Sequence, residues 1–153
     1  MRKFAFSLET LLHYRKNLEE KEQAVLFQLS SRLQRESNHL QDLQGKHQET
    51  LVELTKMRAE GASYAETSWF YLYLDRLRFE MRKSSERIRQ LEKDIQEQKA
   101  ILIEASKRKK ILDSLKTKEK KAFNSAVDKQ EQKAVDEIVV LRFPQKQDHP
   151  TEP

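Results

Sequence analysis

The side chains best suited to chemistry are few in this chain, and they are not spaced for it. Helical metal ligands typically recur four residues apart, a spacing that no pair of the four histidines shows: His13, His39, His47 and His149. The chain has no cysteine, which excludes thiolate metal sites and disulfides. Its 2 glycines are too few to form a phosphate-binding loop. The sequence therefore predicts no metal site, no cofactor and no enzymatic activity.

The composition is typical of long helices rather than of a compact globular domain. Charged residues make up 36% of the chain, which contains only 2 glycines and 3 prolines, as in coiled coils. Two paired helices offer no water-excluding cleft, so the many acidic side chains are interpreted as solvated ion-pair partners. No apolar run approaches the roughly 20 residues that span a bilayer, and Glu9 comes too early for a signal peptide. We expect a soluble intracellular protein.

The clearest pattern is an apolar stripe between positions 70 and 112. Its members alternate steps of four and three residues without a break: Phe70, Leu74, Leu77, Met81, Ser84, Ile88, Leu91, Ile95, Gln98, Leu102, Ala105, Lys109 and Leu112. A mean period of 3.5 residues gives a narrow seam that faces a partner helix in a left-handed coiled coil. The sequence therefore predicts half of a coiled coil.

An earlier helix, predicted between about 7 and 59, supplies the other half. Ser7 can cap it, and its apolar residues keep a similar spacing: Leu8, Leu11, Leu12, Leu18, Val25, Leu29, Leu33, Leu40, Leu43, Leu51 and Leu54. Glu22, Glu36 and His47 occupy positions where an apolar residue is expected, which predicts a looser seam. Gly45 costs about 1 kcal/mol relative to alanine, and we expect the helix to continue through it.

The pattern stops at a turn predicted between about 60 and 65. Gly61 suits a left-handed helix end, and Ser63 or Thr67 suits the start of the next helix, predicted between about 66 and 140. Because so short a connection favours antiparallel neighbours, we predict an all-α fold. Residues 1–143 are predicted to form a long two-helix antiparallel coiled-coil hairpin.

The two predicted helices differ in length. The first is roughly 80 Å long and the second roughly 110 Å at 1.5 Å per residue, so the start of the first lies opposite residues 115–122. Residues beyond about Ala122 then overhang, and they include apolar groups without a partner in the chain: Phe123, Val127, Val135, Ile138, Val139, Leu141 and Phe143. Such exposed apolar surface usually marks an interaction site. Pro144 ends the helix, and 144–153 is predicted to be a disordered tail.

Two further segments each have two interpretations. Successive helical residues lie about 100° apart, so the seam cannot hide every member of an aromatic cluster: Tyr64, Trp69, Phe70, Tyr71, Tyr73 and Phe79. These rings either stiffen the turn or dock a partner. The basic segment from Lys107 to Lys121 is either a solvated face or a contact for an acidic partner. Nucleic acid is disfavoured, because no stacking aromatic residues are interleaved with these charges.

Three sequence segments together carry a resemblance. They are Phe4-Ala5-Phe6-Ser7-Leu8-Glu9-Thr10-Leu11-Leu12 with Tyr14-Arg15 and Glu19-Glu20, then Phe70-x-x-Tyr73-Leu74-x-x-Leu77-x-x-x-Met81, then Lys133-Ala134-Val135-Asp136-Glu137-Ile138. In this order and over nearly the whole chain, they resemble the FliJ family of bacterial flagellar type III export proteins. Sister proteins of virulence-type secretion systems share this architecture.

The resemblance implies a non-enzymatic, cytoplasmic stalk, whose coiled-coil hairpin is similar in shape to the rotary ATPase central-shaft coiled coil. Family members associate with the hexameric export ATPase, contact the cytoplasmic domain of the export gate protein and cycle substrate-specific export chaperones. Through these partners they are peripheral to the cytoplasmic face of the inner membrane, at the export apparatus. Their role is in flagellum biogenesis, and so in motility and chemotaxis.

The resemblance also implies two contact surfaces. The export-gate surface lies on one face of early helix two: Tyr73, Leu77, Glu80 and Ser84, of which Glu80 and Ser84 depart from the family pattern. By analogy with the rotary shaft, the open end of the hairpin enters the ATPase ring. That end holds Phe4, Phe6, Leu8, Leu11, Arg15, Phe123, Val127, Val135 and Ile138.

Two other functions stay open. One is a generic structural coiled coil that homodimerises through long parallel helices, with helix continuous through Gly61. The other is the equivalent stalk protein of a virulence-type secretion system.

Overall fold

The chain folds into two long helices. The computed structural model describes residues 2–143 and contains, within that range, α1 (Glu9–Ala59) and α2 (Tyr64–Arg142) and no strand. The predicted all-α hairpin is confirmed. Helix α1 begins after a turn at Ser7 and Leu8, with the Leu12 amide donating to the Leu8 carbonyl at 2.9 Å. The tail predicted at 144–153 lies outside the described residues.

Helix α1 ends in a Schellman motif. Gly61 has a φ of 88°, the left-handed conformation that glycine adopts without a Cβ clash. The Ala62 amide donates to the Met57 carbonyl and the Gly61 amide to the Arg58 carbonyl, both at 3.1 Å, the paired bonds of that motif. The chain therefore does not continue as one helix through Gly61.

Ser63 rather than Thr67 caps α2. Its Oγ accepts a hydrogen bond from the Glu66 amide at 3.3 Å, which satisfies one of the free amides of the first turn. Thr67 is instead buried one turn later, and its hydroxyl donates to the Ser63 carbonyl at 3.1 Å. The turn residues thus end one helix and start the next within four residues, 60–63.

The chain divides into two units. The larger unit is Lys16–Lys107, and every stripe residue between Phe70 and Ala105 is buried or half-buried there. In heptad notation Leu74 takes position a and Phe70 position d. The facing positions of α1 are buried or half-buried too: Leu29, Leu33, Glu36, Leu40, Leu43, His47, Thr50, Leu54 and Met57. Thr50, which was not predicted, is more deeply buried than the predicted Leu51.

The smaller unit joins residues 2–15 with residues 108–143. Phe6, Leu12 and Leu112 form its buried cluster, against which Phe4 and Leu115 pack. The Lys116 ammonium lies 2.9 Å from the Glu9 carboxylate. The start of α1 therefore lies opposite residues 115–122 of α2, as predicted.

The predicted overhang begins too early in the chain. Phe123 was expected to lack a partner, but its ring centroid lies 5.7 Å from that of Phe4, and Val127 is half-buried. The segment before α1 extends along α2, and its Phe4 ring packs against Phe123. Exposed apolar side chains begin farther on: Val135, Ile138, Val139, Val140, Leu141 and Phe143.

The two glycines give opposite predictions. Gly61→Ala should lower the free energy of unfolding by about 1–2 kcal/mol, because a Cβ is strained in the left-handed region. Gly45→Ala should raise it by about 1 kcal/mol, because a Cβ there meets no heavy atom within 4 Å. Urea denaturation followed by circular dichroism measures both. Shifts in the same direction would contradict the turn conformation.

Candidate binding surfaces

Glu36 lies inside the seam but has partners there. The Ser84 hydroxyl donates to its carboxylate at 2.8 Å and the Arg87 guanidinium at 3.3 Å. These groups of α2, Ser84 first, hold the pKa of the Glu36 carboxyl below its usual value, although burial acts in the opposite direction. The seam position that was predicted to loosen the hairpin is therefore an ionised cross-helix contact.

A second polar layer lies two heptads away along each helix. The Gln98 amide nitrogen donates to the backbone carbonyl of Glu22 at 3.1 Å and also to the Glu22 carboxylate. The buried Thr50 hydroxyl donates within α1, to the Lys46 carbonyl at 2.7 Å. His47 is the third polar residue that was expected in the seam. Among residues 2–143, its Nε2 is the only buried side-chain nitrogen or oxygen without a hydrogen-bond partner.

The predicted export-gate face is divided by the seam. Leu77 is 4% exposed and Ser84 is 0% exposed, so neither reaches a partner while the hairpin is closed. Tyr73 and Glu80 are half-buried; both take heptad position g, beside the seam, one heptad apart. The accessible part of this face is therefore Tyr73 and Glu80, with Leu77 and Ser84 holding α2 in place beneath them.

The aromatic cluster contains rings that stiffen the turn and rings that are exposed enough to dock a partner, which were the two alternative interpretations of the sequence. Tyr71 stiffens the turn, because its hydroxyl accepts a hydrogen bond from Arg58 of α1 at 3.1 Å and its ring stacks on Tyr64 at 5.9 Å. Trp69 lies outside, stacked parallel on Tyr73 with a centroid separation of 5.5 Å. Trp69 and Phe79 are exposed, as a docking surface requires.

Sequence reasoning missed Leu72. It is also exposed, on the side of α2 that faces away from α1. The signal was present in the printed sequence: three residues after Trp69 and seven before Phe79, Leu72 continues a second apolar spacing outside the seam.

The residues predicted to contact the ATPase ring all lie in the smaller unit but differ in accessibility. Phe6 is buried in its cluster; Phe4, Arg15, Phe123 and Val127 are half-buried. The remaining four are exposed: Leu8, Leu11, Val135 and Ile138. Phe6 thus serves the hairpin, and the accessible part of this surface is the exposed set.

Several cations of the basic segment already have interaction partners. Lys116 pairs with Glu9 at 2.9 Å, and Arg108 and Lys109 are not free either. Among residues 2–143 there is no cluster of metal-binding side chains. Within the same residues neither helix has a stretch apolar enough to cross a membrane.

The fold defines the class of the protein: an all-α coiled-coil hairpin. The family model described as "Flagellar FliJ protein" matches residues 4–148. The chain belongs to the FliJ family, and is therefore a component of flagellar type III protein export. Searches of curated proteins and of solved structures each returned no match.

The Ser84 contact predicts a pH-dependent effect on stability. A carboxyl whose pKa is lower in the folded chain than in the unfolded chain adds stability above its unfolded pKa, and that stability is lost as pH falls through the folded pKa. Ser84→Ala removes the main cause of the shift, so at neutral pH it should cost about 1.5 kcal/mol. The difference from the parent chain should shrink once the pH falls below the usual value of 4.5.

Urea denaturation at neutral and acidic pH measures this difference. Ser114→Ala is the matched control, because Ser114 is an exposed residue of the same helix. A Ser84→Ala cost that is the same at both pH values would contradict an ionised Glu36 as the partner.

Proposed function

We propose that this chain is the non-enzymatic stalk and chaperone-escort protein of a flagellar export apparatus. In this role it binds the hexameric export ATPase and the cytoplasmic domain of the export gate protein, and couples one to the other. It cycles export chaperones, and it is held at the cytoplasmic face of the inner membrane by these partners. The observation that carries the proposal is the family match over residues 4–148.

The ring contact is assigned to the last turns of α2. Val135, Ile138 and Val139 are exposed apolar residues at the spacing of one helical face, and Leu141 and Phe143 extend the apolar surface. Exposed aliphatic groups gathered at one helix end favour burial in a protein interface. Leu8 and Leu11 at the start of α1 belong to the same unit and are also exposed.

The gate contact is assigned to the accessible part of the early α2 face. Tyr73 contributes an aromatic ring that Trp69 holds by stacking at 5.5 Å, which limits the side-chain entropy lost on binding. Glu80 lies one heptad farther on and contributes a charge that can select the partner's orientation. Leu77 and Ser84 act indirectly, through the seam that fixes the position of α2.

Ile138→Asp tests the ring contact. We expect the parent chain to raise ATP hydrolysis by the cognate export ATPase, and we expect this variant to need at least about tenfold more protein for the same effect, as for the loss of an interface hot spot. Ile111→Asp is the control, since Ile111 is an even more exposed isoleucine of α2 and lies outside the patch. If the parent chain leaves hydrolysis unchanged and forms no complex with the ATPase, the coupling role is wrong.

Tyr73→Ala tests the gate contact. Because Tyr73 flanks the seam, we expect helicity and unfolding free energy to change little, while affinity for the purified gate domain falls about tenfold. Calorimetry with that domain measures the affinity, and Tyr14→Ala, at an exposed tyrosine of α1, serves as control. Equal losses in both variants would contradict a gate surface on early α2.

A further inference from the structure

Helix α2 carries a second stripe of residues on the side away from α1. Trp69 is 63% exposed, Leu72 is 71% exposed and Phe79 is 48% exposed. With Arg76 and Lys83 between and after them, the spacing is again three and four residues. In the heptad these are positions c and f, which face solvent in a two-helix coiled coil and are normally polar. We call Trp69, Leu72, Arg76, Phe79 and Lys83 the outer stripe.

The hairpin does not account for the outer stripe. The seam of α2 runs through Phe70, Leu74 and Leu77, and α1 covers only that side. A helix with two apolar stripes on different faces is suited to pack against two helices. The outer stripe extends over 15 residues, about 20 Å of helix, which is the length of a helix-to-helix contact.

The charges of the outer stripe indicate what covers it. Lys83 Nζ lies 4.5 Å from the Phe79 ring centroid, so this cation is held at the apolar surface. Neighbouring Arg78 is paired with Asp75 at 3.3 Å. Within residues 2–143, by contrast, neither Arg76 nor Lys83 has an acidic ion-pair partner.

We propose that the outer stripe docks an amphipathic helix of a partner protein, whose apolar stripe is flanked by Asp and Glu. The partner's apolar residues cover Trp69, Leu72 and Phe79, and its carboxylates pair with Arg76 and Lys83. This proposal does not depend on the ATPase contact. It adjoins the proposed gate surface at Trp69, which stacks on Tyr73, whereas Leu72, Phe79 and the two cations of the outer stripe form a surface of their own.

A second copy of this chain does not fit the surface as well. Whether two outer stripes overlap fully in parallel or in antiparallel order, the central Arg76 meets Arg76 of the other copy. A parallel pair also brings Lys83 against Lys83. Like charges at a buried contact cost affinity, so complementarity favours an acidic helix over self-association.

Trp69, the chain's single tryptophan, reports directly on this surface. The probes are two synthetic helical peptides of about 20 residues, without aromatic residues, each with a leucine stripe. One peptide has Glu on both flanks of the stripe and the other has Lys. On titration into the full chain, the Glu peptide should shift Trp69 emission to the blue and saturate, and the Lys peptide should bind at least about tenfold more weakly.

Variants distinguish the outer stripe from general stickiness. Leu72→Ser and Phe79→Ser should each weaken Glu-peptide binding by about tenfold, while Ile101→Ser, at an exposed isoleucine elsewhere on α2, should have no effect. Arg76→Glu combined with Lys83→Glu should reverse the preference in favour of the Lys peptide. Circular dichroism checks that each variant stays helical.

Three outcomes would overturn the proposal. They are equal binding of both peptides, no saturable shift with either, and a loss in Ile101→Ser as large as in Leu72→Ser. A blue shift that grows with chain concentration alone, together with a doubled mass in light scattering, would assign the stripe to self-association instead. None of these results bears on the ATPase assay, and the variants of the outer stripe leave both Trp69 and Tyr73 of the gate surface unchanged.

Discussion

Two carboxylates inside an apolar seam set the register of the larger unit. Glu36 faces Ser84 and Glu22 faces Gln98, and each pair lies two heptads from the other along both helices. A slip of one heptad would place Leu77 or Leu91 opposite Glu36, and Leu91 or Ala105 opposite Glu22. Both acids would then lose their hydrogen bonds in a partly buried seam, at about 1–3 kcal/mol each. The apolar residues alone would tolerate the slip, since they repeat every heptad.

The register decides which side chains of early α2 remain available to partners. Ser84 donates to Glu36, and Leu77 is buried. The side chains at these d positions are therefore inside the seam and not available to a partner. Position g, with Tyr73 and Glu80, borders the seam and stays accessible. The outer stripe lies farther round the helix, where α1 exerts no constraint. One face of α2 therefore packs in the seam, and two adjoining surfaces stay accessible, joined where Trp69 stacks on Tyr73.

The sequence was a good guide to structure wherever a pattern repeated. The stripe from Phe70 to Leu112 is buried or half-buried at every position, and the turn forms at Gly61. It was a poor guide wherever the answer depended on the residue across the seam. Glu22 and Glu36 were expected to loosen the packing, yet they are paired, because periodicity identifies a seam position but not its partner on the other helix.

The candidate surfaces show how two kinds of sequence evidence can disagree. The heptad pattern placed Leu77 and Ser84 in the seam, where they are buried, whereas the resemblance placed them on the gate face, because it transfers a face residue by residue without regard to what α1 covers. Phe123 was placed in an overhang because helix lengths were compared, whereas the non-helical residues before α1 extend far enough for Phe4 to reach it. Leu72 was missed because it lies outside the seam stripe and belongs to a second apolar spacing on the same helix.

The exposed apolar residues of the two units differ in chemistry, which argues for different partners. The end of α2 is mostly aliphatic, with Val135, Ile138 and Val139 on one face and the single cation Arg142 at its end. The outer stripe instead interleaves aromatic rings with Arg76 and Lys83. Aliphatic surface is suited to burial in an interface that excludes water, whereas cations set among rings select an acidic partner. Neither surface contributes to the seam, so exposing these apolar side chains to water does not stabilise the hairpin.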